Sequence, residues 1–247
     1  MARQLNEILC PPINFLDNNK PEPSKFSSVP QVIKACQSIS QIANQSYLTS
    51  ILNERTEEIM KWYHEFIHNA PDELNGFIAT MIIPGPPFPD FLHGNQYCGI
   101  VWCYTGSQEE FNKLIKPAMD LEPVFAHVGE MPYPSIQTLF DGLMPPGLQW
   151  YWRADFFNEL GPEVRKQHLK FGSSIPTLLS QMHLYPISGA ASRIGAEETP
   201  WAYRDAKYAG VIVGVDPDPK KADKITNWCK NYWEALHPYT SGGAYSN

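Results

Sequence analysis

Apolar and polar positions follow two different periods along this chain. Between residues 53 and 70, apolar side chains recur every three or four positions, at Ile59, Trp62, Tyr63, Phe66 and Ile67, as in an amphipathic helix. After this segment, GFIATMII (76–83) and YCGIVWCYT (97–105) are short apolar runs with the length of buried strands. The pattern therefore predicts a helix followed by two strands.

The two patterns alternate to the end of the chain. Further strands are predicted at 124–131, 148–156, 183–194, 208–215 and 242–247, and further helices at 107–121, 134–143, 161–174, 175–182 and 218–239. Ser107 and Glu110 have the spacing of a capping box, which indicates that a helix begins after Ser107. We predict an α+β fold, a mainly antiparallel sheet with helices on one face, whose other face is exposed or covered by a partner.

The first 45 residues have a different composition from the rest. NNKPEPSKFSSVP is polar and rich in proline and serine, which is typical of a linker, and only VPQVIKACQSISQIANQ favours a short helix. We therefore predict an irregular arm or linker at residues 1–45 and a single domain at residues 46–247.

Strand alternation assigns side chains to the two faces of the predicted sheet. Trp150 and Trp152 share one apolar face, which we expect the helices to cover. The opposite face collects aromatic and polar side chains: Phe125, His127, Tyr151, Arg153 and Tyr185. These five are the predicted substrate-binding residues. The alternative is an ordinary solvated face of an antiparallel sheet.

Charge and cysteine content limit the classes of partner. The 247 residues carry a net charge of −7 and show no basic stripe, which argues against nucleic acid and anionic membranes as partners. No apolar run is long enough to span a bilayer, and no signal peptide is recognisable. The five cysteines form no CxxC pair, so we expect free thiols and a cytoplasmic protein.

Common catalytic motifs are missing from the sequence. There is no GxGxxG, Walker A, HExxH, GxSxG or EF-hand pattern. His64 and His68 have the i, i+4 spacing of metal ligands, but no third ligand is evident, so no metal site is predicted.

An ordered series of segments carries a family resemblance. APDELNGF, HGNQYCGIVWCYTGSQEE, MPYPSIQTLFD, YWRADFFNEL, GAASRI…ETPWAYRDA and LHPYTSGGAYSN follow one another between residues 46 and 247. Together they resemble the C-terminal half of FAD-linked oxidases, in the berberine-bridge-enzyme-like branch of the vanillyl-alcohol oxidase superfamily.

The resemblance implies a flavoprotein architecture in two parts. In the family, an N-terminal domain binds FAD, often covalently, and a C-terminal substrate domain lays an antiparallel sheet over the flavin. The family's Y-x-N pair matches Tyr245 and Asn247. This implies Tyr245 as a catalytic base, or a neighbour of one, and Asn247 as a cofactor contact if a flavin partner exists.

This sequence departs from the family at both ends. It contains neither the arginine-glycine-glycine-histidine loop nor the flavin-linking cysteine motif, and it stops at Asn247 where the family continues. We therefore expect no cofactor to be bound by this chain alone, and FAD only together with a partner flavin domain.

Three functional interpretations follow from the resemblance. The first is an oxidoreductase-related substrate-binding domain, repurposed to bind a small organic molecule or to associate. The second is the substrate subunit of a split FAD-dependent oxidase, completed by a separate flavin-domain chain. The third is a gene fragment without a role. An uncovered polar-aromatic face would also favour a homo-oligomer. We do not expect the chain to be an active enzyme alone.

Overall fold

One seven-stranded sheet runs through the chain. The structure, a computed structural model, describes residues 43–52, 55–86, 88–199 and 201–243. The strands are β1 (Ala43–Leu52), β2 (Leu74–Ile82), β3 (Gln96–Tyr104), β4 (Phe125–Pro132), β5 (Gln149–Phe157), β6 (Gln181–Pro186) and β7 (Tyr208–Asp216). Their order is β4-β1-β3-β2-β6-β7-β5, and every neighbouring pair is antiparallel. The predicted α+β class and antiparallel sheet are confirmed.

Helices cover one face of this sheet. The helices are α1 (Thr56–Ile67), α2 (Gln108–Met119), α3 (Tyr133–Gln137), α4 (Pro162–Gly172) and α5 (Ala222–Leu236). α2 begins as predicted, because the Ser107 hydroxyl accepts the backbone N–H of Glu110 at 3.3 Å. α1, α2, α4 and α5 bury their apolar stripes in one core with alternate residues of the central strands. We call this side of the sheet the helix side.

The helix side is closely packed because small residues let large ones approach. Trp102 on β3 is fully buried, and a Cβ added to Gly76 on β2 would lie 2.7 Å from its ring. A Cβ on Gly214 of β7 would lie 2.8 Å from the Cβ of Ile225 in α5. Glycine at these two positions therefore lets Trp102 and α5 lie against the backbone.

The other face is also buried, by the connecting segments of the chain itself. Val211, Val213 and Val215 of β7 form a second apolar cluster there with Phe77 and Tyr185. Residues from outside the strands pack against this cluster: Phe140, Leu148, Leu179, Trp201 and Tyr203. The expectation that this face is open, or needs a partner to cover it, is thus wrong for the central strands. We call it the loop side.

Three local predictions differ from the structure. β1 begins at Ala43, before the predicted boundary at residue 46, and pairs with both β3 and β4, which supply its backbone hydrogen bonds. Residues 175–180 form no helix because the Thr177 hydroxyl donates to the carbonyl of Val215, and Ser180 Oγ accepts the Val215 N–H at 3.0 Å. The strand predicted at 183–194 already ends at Pro186.

Some predictions concern residues that are only partly described. Residues 1–42 of the predicted arm lie outside the described ranges, as do residues 244–247 of the predicted last strand. Within those ranges, Cys98 and Cys229 are buried free thiols, and no helix is both long and apolar enough to cross a membrane.

Candidate functional site

Three of the five predicted substrate-binding residues lie on the loop side. His127 of β4 and Val101 of β3 pair with the same residue of β1, Leu48, so their side chains lie on the same face of the sheet. Val101 belongs to the loop-side cluster. Phe125, two residues earlier, packs against a small cluster that includes Tyr97. Tyr185 is also on this side but is only 1% exposed. His127 is exposed, so these residues do not share one environment.

The remaining two, Tyr151 and Arg153, lie on the helix side. The Arg153 guanidinium carbon is 5.3 Å from the ring centre of Trp233 in α5 and 5.5 Å from that of Tyr151. Trp150 and Trp152 pack on the loop side instead. The face assignment for β5 was therefore reversed. The reason is that both faces are covered, so the indoles bury under the connecting segments while Arg153 extends along α5.

The predicted aromatic patch consequently does not form from these residues. Tyr185 is buried, and Tyr151 and Arg153 lie on the opposite face from Phe125. Tyr245 and Asn247, the predicted catalytic and cofactor-binding residues, lie outside the described residues.

A buried histidine–tyrosine pair marks the centre of the loop side. His183 Nδ1 lies 2.5 Å from the hydroxyl of Tyr185, and the ring of Phe77 packs 5.3 and 5.0 Å from the two rings. Burial lowers the pKa of His183 to about 4 and raises the pKa of Tyr185 above its usual value. Both side chains are therefore neutral near pH 7, so the pair offers hydrogen bonds rather than charge.

Beside this pair, stacked rings cover β5. Trp150 and Trp152 are stacked with centres 5.8 Å apart, and Phe156 stacks on Tyr203 at 4.3 Å and contacts Trp201 at 6.2 Å. We call Trp150, Trp152, Phe156, Trp201 and Tyr203 the aromatic face. The indole N–H groups of Trp152 and Trp201 are buried and have no acceptor among the residues the structure describes. Such a surface suits a flat ligand that carries a hydrogen-bond acceptor.

Arg204 holds the loop that contributes two of these rings. Its guanidinium lies 4.4 Å from the ring centre of Trp201 and donates to the carbonyls of Trp201 and Ala191 and to the Thr199 hydroxyl. Because these donors are used within the loop, Arg204 fixes the position of Trp201 rather than presenting a free cation.

The segment after α5 is anchored next to the aromatic face. His237 Nδ1 lies 2.6 Å from the buried carboxylate of Asp155, and the Ser241 N–H donates to the carbonyl of Phe156 at 2.8 Å. Gly243 lies against the ring of Tyr203 with a φ of +107°, which favours glycine. The sequence allowed Asp155 to pair with Arg153 or with a helix end, and it pairs with His237 directly after α5. The HPY sequence at the end of the predicted helix was the available signal.

His64 and His68 contact Tyr208 rather than forming a separate surface pair. His64 Nδ1 is 2.9 Å from the Tyr208 hydroxyl, and burial lowers the pKa of His68 to about 4. In the described ranges, no three His, Cys, Asp or Glu side chains are grouped so that they could hold a metal ion.

Comparisons with known proteins agree on one type of fold. No family model matches the chain. An FAD-linked oxidoreductase of Dictyostelium discoideum is 25% identical over 147 residues, which are 58% of this chain and 32% of that protein. The chain thus spans about a third of the length of the curated relative that it matches.

Solved structures extend the similarity across most of the chain. Berberine-bridge-enzyme-like protein 28 of Arabidopsis thaliana matches with a TM-score of 0.65 and 18% identity, over 81% of this chain and 45% of that protein. A variant of berberine-bridge-enzyme-like protein 1 of Physcomitrella patens matches with a TM-score of 0.67 and 13% identity, over 83% of this chain and 46% of that protein. The berberine bridge enzyme of Eschscholzia californica matches with a TM-score of 0.63 and 12% identity, over 81% of this chain and 42% of that protein. The resemblance to part of a berberine-bridge-enzyme-like FAD-linked oxidase is therefore confirmed at the level of the fold.

Proposed function

We propose that this chain is a small-molecule-binding domain related to the substrate domain of FAD-linked oxidoreductases, and that it binds an aromatic ligand at the aromatic face. The observation that carries the proposal is the group of stacked rings on the loop side, with two buried indole donors that have no acceptor among the described residues. The fold supports ligand binding, because a berberine bridge enzyme variant of similar fold has been solved in complex with (S)-reticuline.

The chemistry of the face defines the ligand class. Rings on β5 and on the 201–203 loop offer stacking surfaces, and the donors of Trp152 and Trp201 need an acceptor such as a phenol or carbonyl oxygen. The neutral His183–Tyr185 pair lies on the same side of the sheet. The ligand is therefore an uncharged aromatic molecule with an oxygen acceptor, and the covering segments must shift to admit it.

FAD itself does not fit the aromatic face. The face supplies rings that could cover an isoalloxazine, but Arg204, the guanidinium stacked on it, has its donors engaged by Ala191, Thr199 and Trp201. A diphosphate needs free cations or backbone N–H groups at a helix start. We assign no redox step to these residues, and we propose that FAD is bound only together with a flavin-binding domain.

A second candidate is the substrate subunit of a split oxidase, since part of the chain is similar to an FAD-linked oxidoreductase. In that case Tyr245 would be the base and Asn247 a flavin contact. The anchoring of Ser241 on Phe156 and of Gly243 against Tyr203 supports this proposal, because it directs the chain to the aromatic face just before these two residues.

Ligand binding is tested by titrating the purified chain with an uncharged polycyclic phenol and following tryptophan fluorescence. We expect saturable quenching that is weakened about tenfold in Trp201→Phe, because this change removes one donor and keeps an aromatic ring at the position. Trp62→Phe on the helix side is the matched control and should bind like the wild type. Equal quenching in both variants would reject the aromatic face as the site.

The same preparation separates the two candidates. The chain alone should retain no stoichiometric flavin after incubation with FAD and gel filtration. Flavin absorbance that appears only with an added flavin-domain chain would support the split oxidase. Flavin retained by the chain alone would contradict both candidates.

A further inference from the structure

The helix side of β5 carries a cation that has no counter-ion in the described part of the chain. Arg153 makes no hydrogen bond or ion pair with any described residue, and its Nε is buried without an acceptor. This is unusual, because a partly buried guanidinium normally pairs with a carboxylate or with backbone carbonyls. The terminal N–H groups of the guanidinium are therefore available to a ligand, whereas its Nε is buried.

Aromatic rings hold this guanidinium in place. It lies 5.5 Å from the ring centre of Tyr151 and 5.3 Å from that of Trp233, distances at which cations and aromatic rings attract each other. Rings fix the position of a guanidinium without using its N–H groups. Arg153 is thus oriented in advance with its fork of donors free.

A second cation lies at the same ring. Lys230 Nζ on α5 is 5.9 Å from the ring centre of Tyr151, and Lys230 is exposed, with no ion pair to another described residue. His237 stacks on Trp233 at 4.3 Å, but its Nδ1 is bound to the carboxylate of Asp155. Among these residues, the positive charge without an ion-pair partner in the described ranges therefore lies at Arg153 and Lys230.

We propose that Arg153, Tyr151 and Lys230 form a binding site for the oxyanion group of a ligand, a carboxylate or a phosphate. Two parallel N–H groups of Arg153 match two oxygens of either group, and Lys230 adds charge. Tyr151 and Trp233 offer ring surface beside the oxyanion, which favours an aromatic carboxylate. The site lies on the opposite side of the sheet from the aromatic face, so it goes beyond the proposed function and can fail independently of it.

The site is tested by titrating the full chain with sodium benzoate, sodium acetate and inorganic phosphate at constant ionic strength, with chloride as the reference salt. The readout is the indole N–H signal of Trp233 in NMR spectra, assigned by its loss in Trp233→Phe. We expect a saturable shift with benzoate that is weakened about tenfold or more in Arg153→Met and about threefold in Lys230→Met. Tighter binding of phosphate than of benzoate would identify phosphate as the source of the oxyanion.

Two variants serve as controls for this experiment. Lys224→Met removes the same charge from the same helix and should leave binding unchanged, because Lys224 donates to the carbonyl of Pro176 instead. Arg153→Lys keeps the positive charge but loses the paired N–H donors of the guanidinium, so it should bind benzoate with intermediate affinity. If Arg153→Met unfolds, Arg153→Lys takes its place in the comparison. The proposal is overturned if no probe gives a saturable shift beyond chloride, or if both Arg153 variants bind like the wild type.

Discussion

The two sides of the sheet are both buried, but different kinds of structure bury them. The helix side is covered by four helices whose apolar residues recur every three or four positions. The loop side is covered by irregular segments that contribute single large residues such as Phe140 and Trp201. Sequence periodicity identifies the covering helices but does not identify covering loops. Alternation in a strand therefore cannot by itself determine which face packs against the helices.

The largest expected effect comes from removing one tryptophan side chain on each side of the sheet and comparing the losses in unfolding free energy. Trp102→Ala should cost about 3–5 kcal/mol of unfolding free energy, because Trp102 is fully buried among Tyr63, Phe66 and Gly76. Trp150→Ala, at a half-buried position on the loop side, should cost roughly 1–2 kcal/mol. Urea denaturation gives both values, and equal losses would mean that the two sides are packed alike.

Acid should destabilise both sides through buried neutral histidines. Burial lowers the pKa of His168 on the helix side to about 3 and that of His183 on the loop side to about 4. Below pH 6.5, about the pKa of histidine in an unfolded chain, the unfolded chain binds protons that the folded chain does not bind. The unfolding free energy therefore decreases as the pH falls. Each residue accounts for about 2–3 kcal/mol lost between pH 7 and 4.5.

His168→Gln should therefore flatten the decrease in unfolding free energy between pH 7 and 4.5, measured by urea denaturation at each pH. His183→Gln should do the same to a similar extent, since both groups are almost fully buried. His127→Gln, at an exposed position, is the control and should leave the pH dependence as it is. An unchanged slope in His168→Gln would show that this imidazole binds protons equally in the folded and unfolded chains.

A smaller effect tests how closely α5 approaches β7. Gly214→Ala places a Cβ 2.8 Å from the Cβ of Ile225 and 3.0 Å from its carbonyl oxygen, so α5 must move away. We expect a loss of about 1–3 kcal/mol in unfolding free energy, as for other overpacked cores. Gly142→Ala is the control, because an added Cβ there meets nothing within 4 Å. A neutral Gly214→Ala would mean that the helix layer moves without cost.

The smallest effect concerns the anchor of the segment after α5. Asp155→Asn weakens the contact to His237 but keeps the size of the side chain, so we expect a loss of about 1 kcal/mol. Asp90→Asn, whose carboxylate is fully exposed, should change the thermal midpoint very little. Limited proteolysis beyond residue 237 should accelerate only in Asp155→Asn, and equal cleavage in both variants would argue against an anchoring role.

The sequence predicts the helices well because each has a local signal. α1 and α5 carry apolar stripes, and α2 begins at the capping serine that its sequence indicates. The segment 175–180 has apolar residues at helical spacing, but contacts of Thr177 and Ser180 with Val215, far away in sequence, decide its conformation. Such contacts cannot be read from a local pattern.

The candidate site was less predictable than the fold. His183 and Tyr185 follow the expected alternation, so their face could be assigned from sequence. β5 could not be assigned correctly, because Trp150 and Arg153 are both compatible with either face until their partners Trp201 and Trp233 are known. Those partners come from a loop and a helix more than forty residues later in the sequence.

The order of the strands also bears on how the chain folds. β4 lies at one edge, and its partner in the sheet is β1, the first described strand, which is inserted between β4 and β3. β4 can therefore pair only after β1, some eighty residues earlier in the sequence, has joined the sheet. Such late, non-local pairing slows folding. Any recombinant version that omits residues 43–52 would leave β3 as an open, apolar edge prone to aggregation.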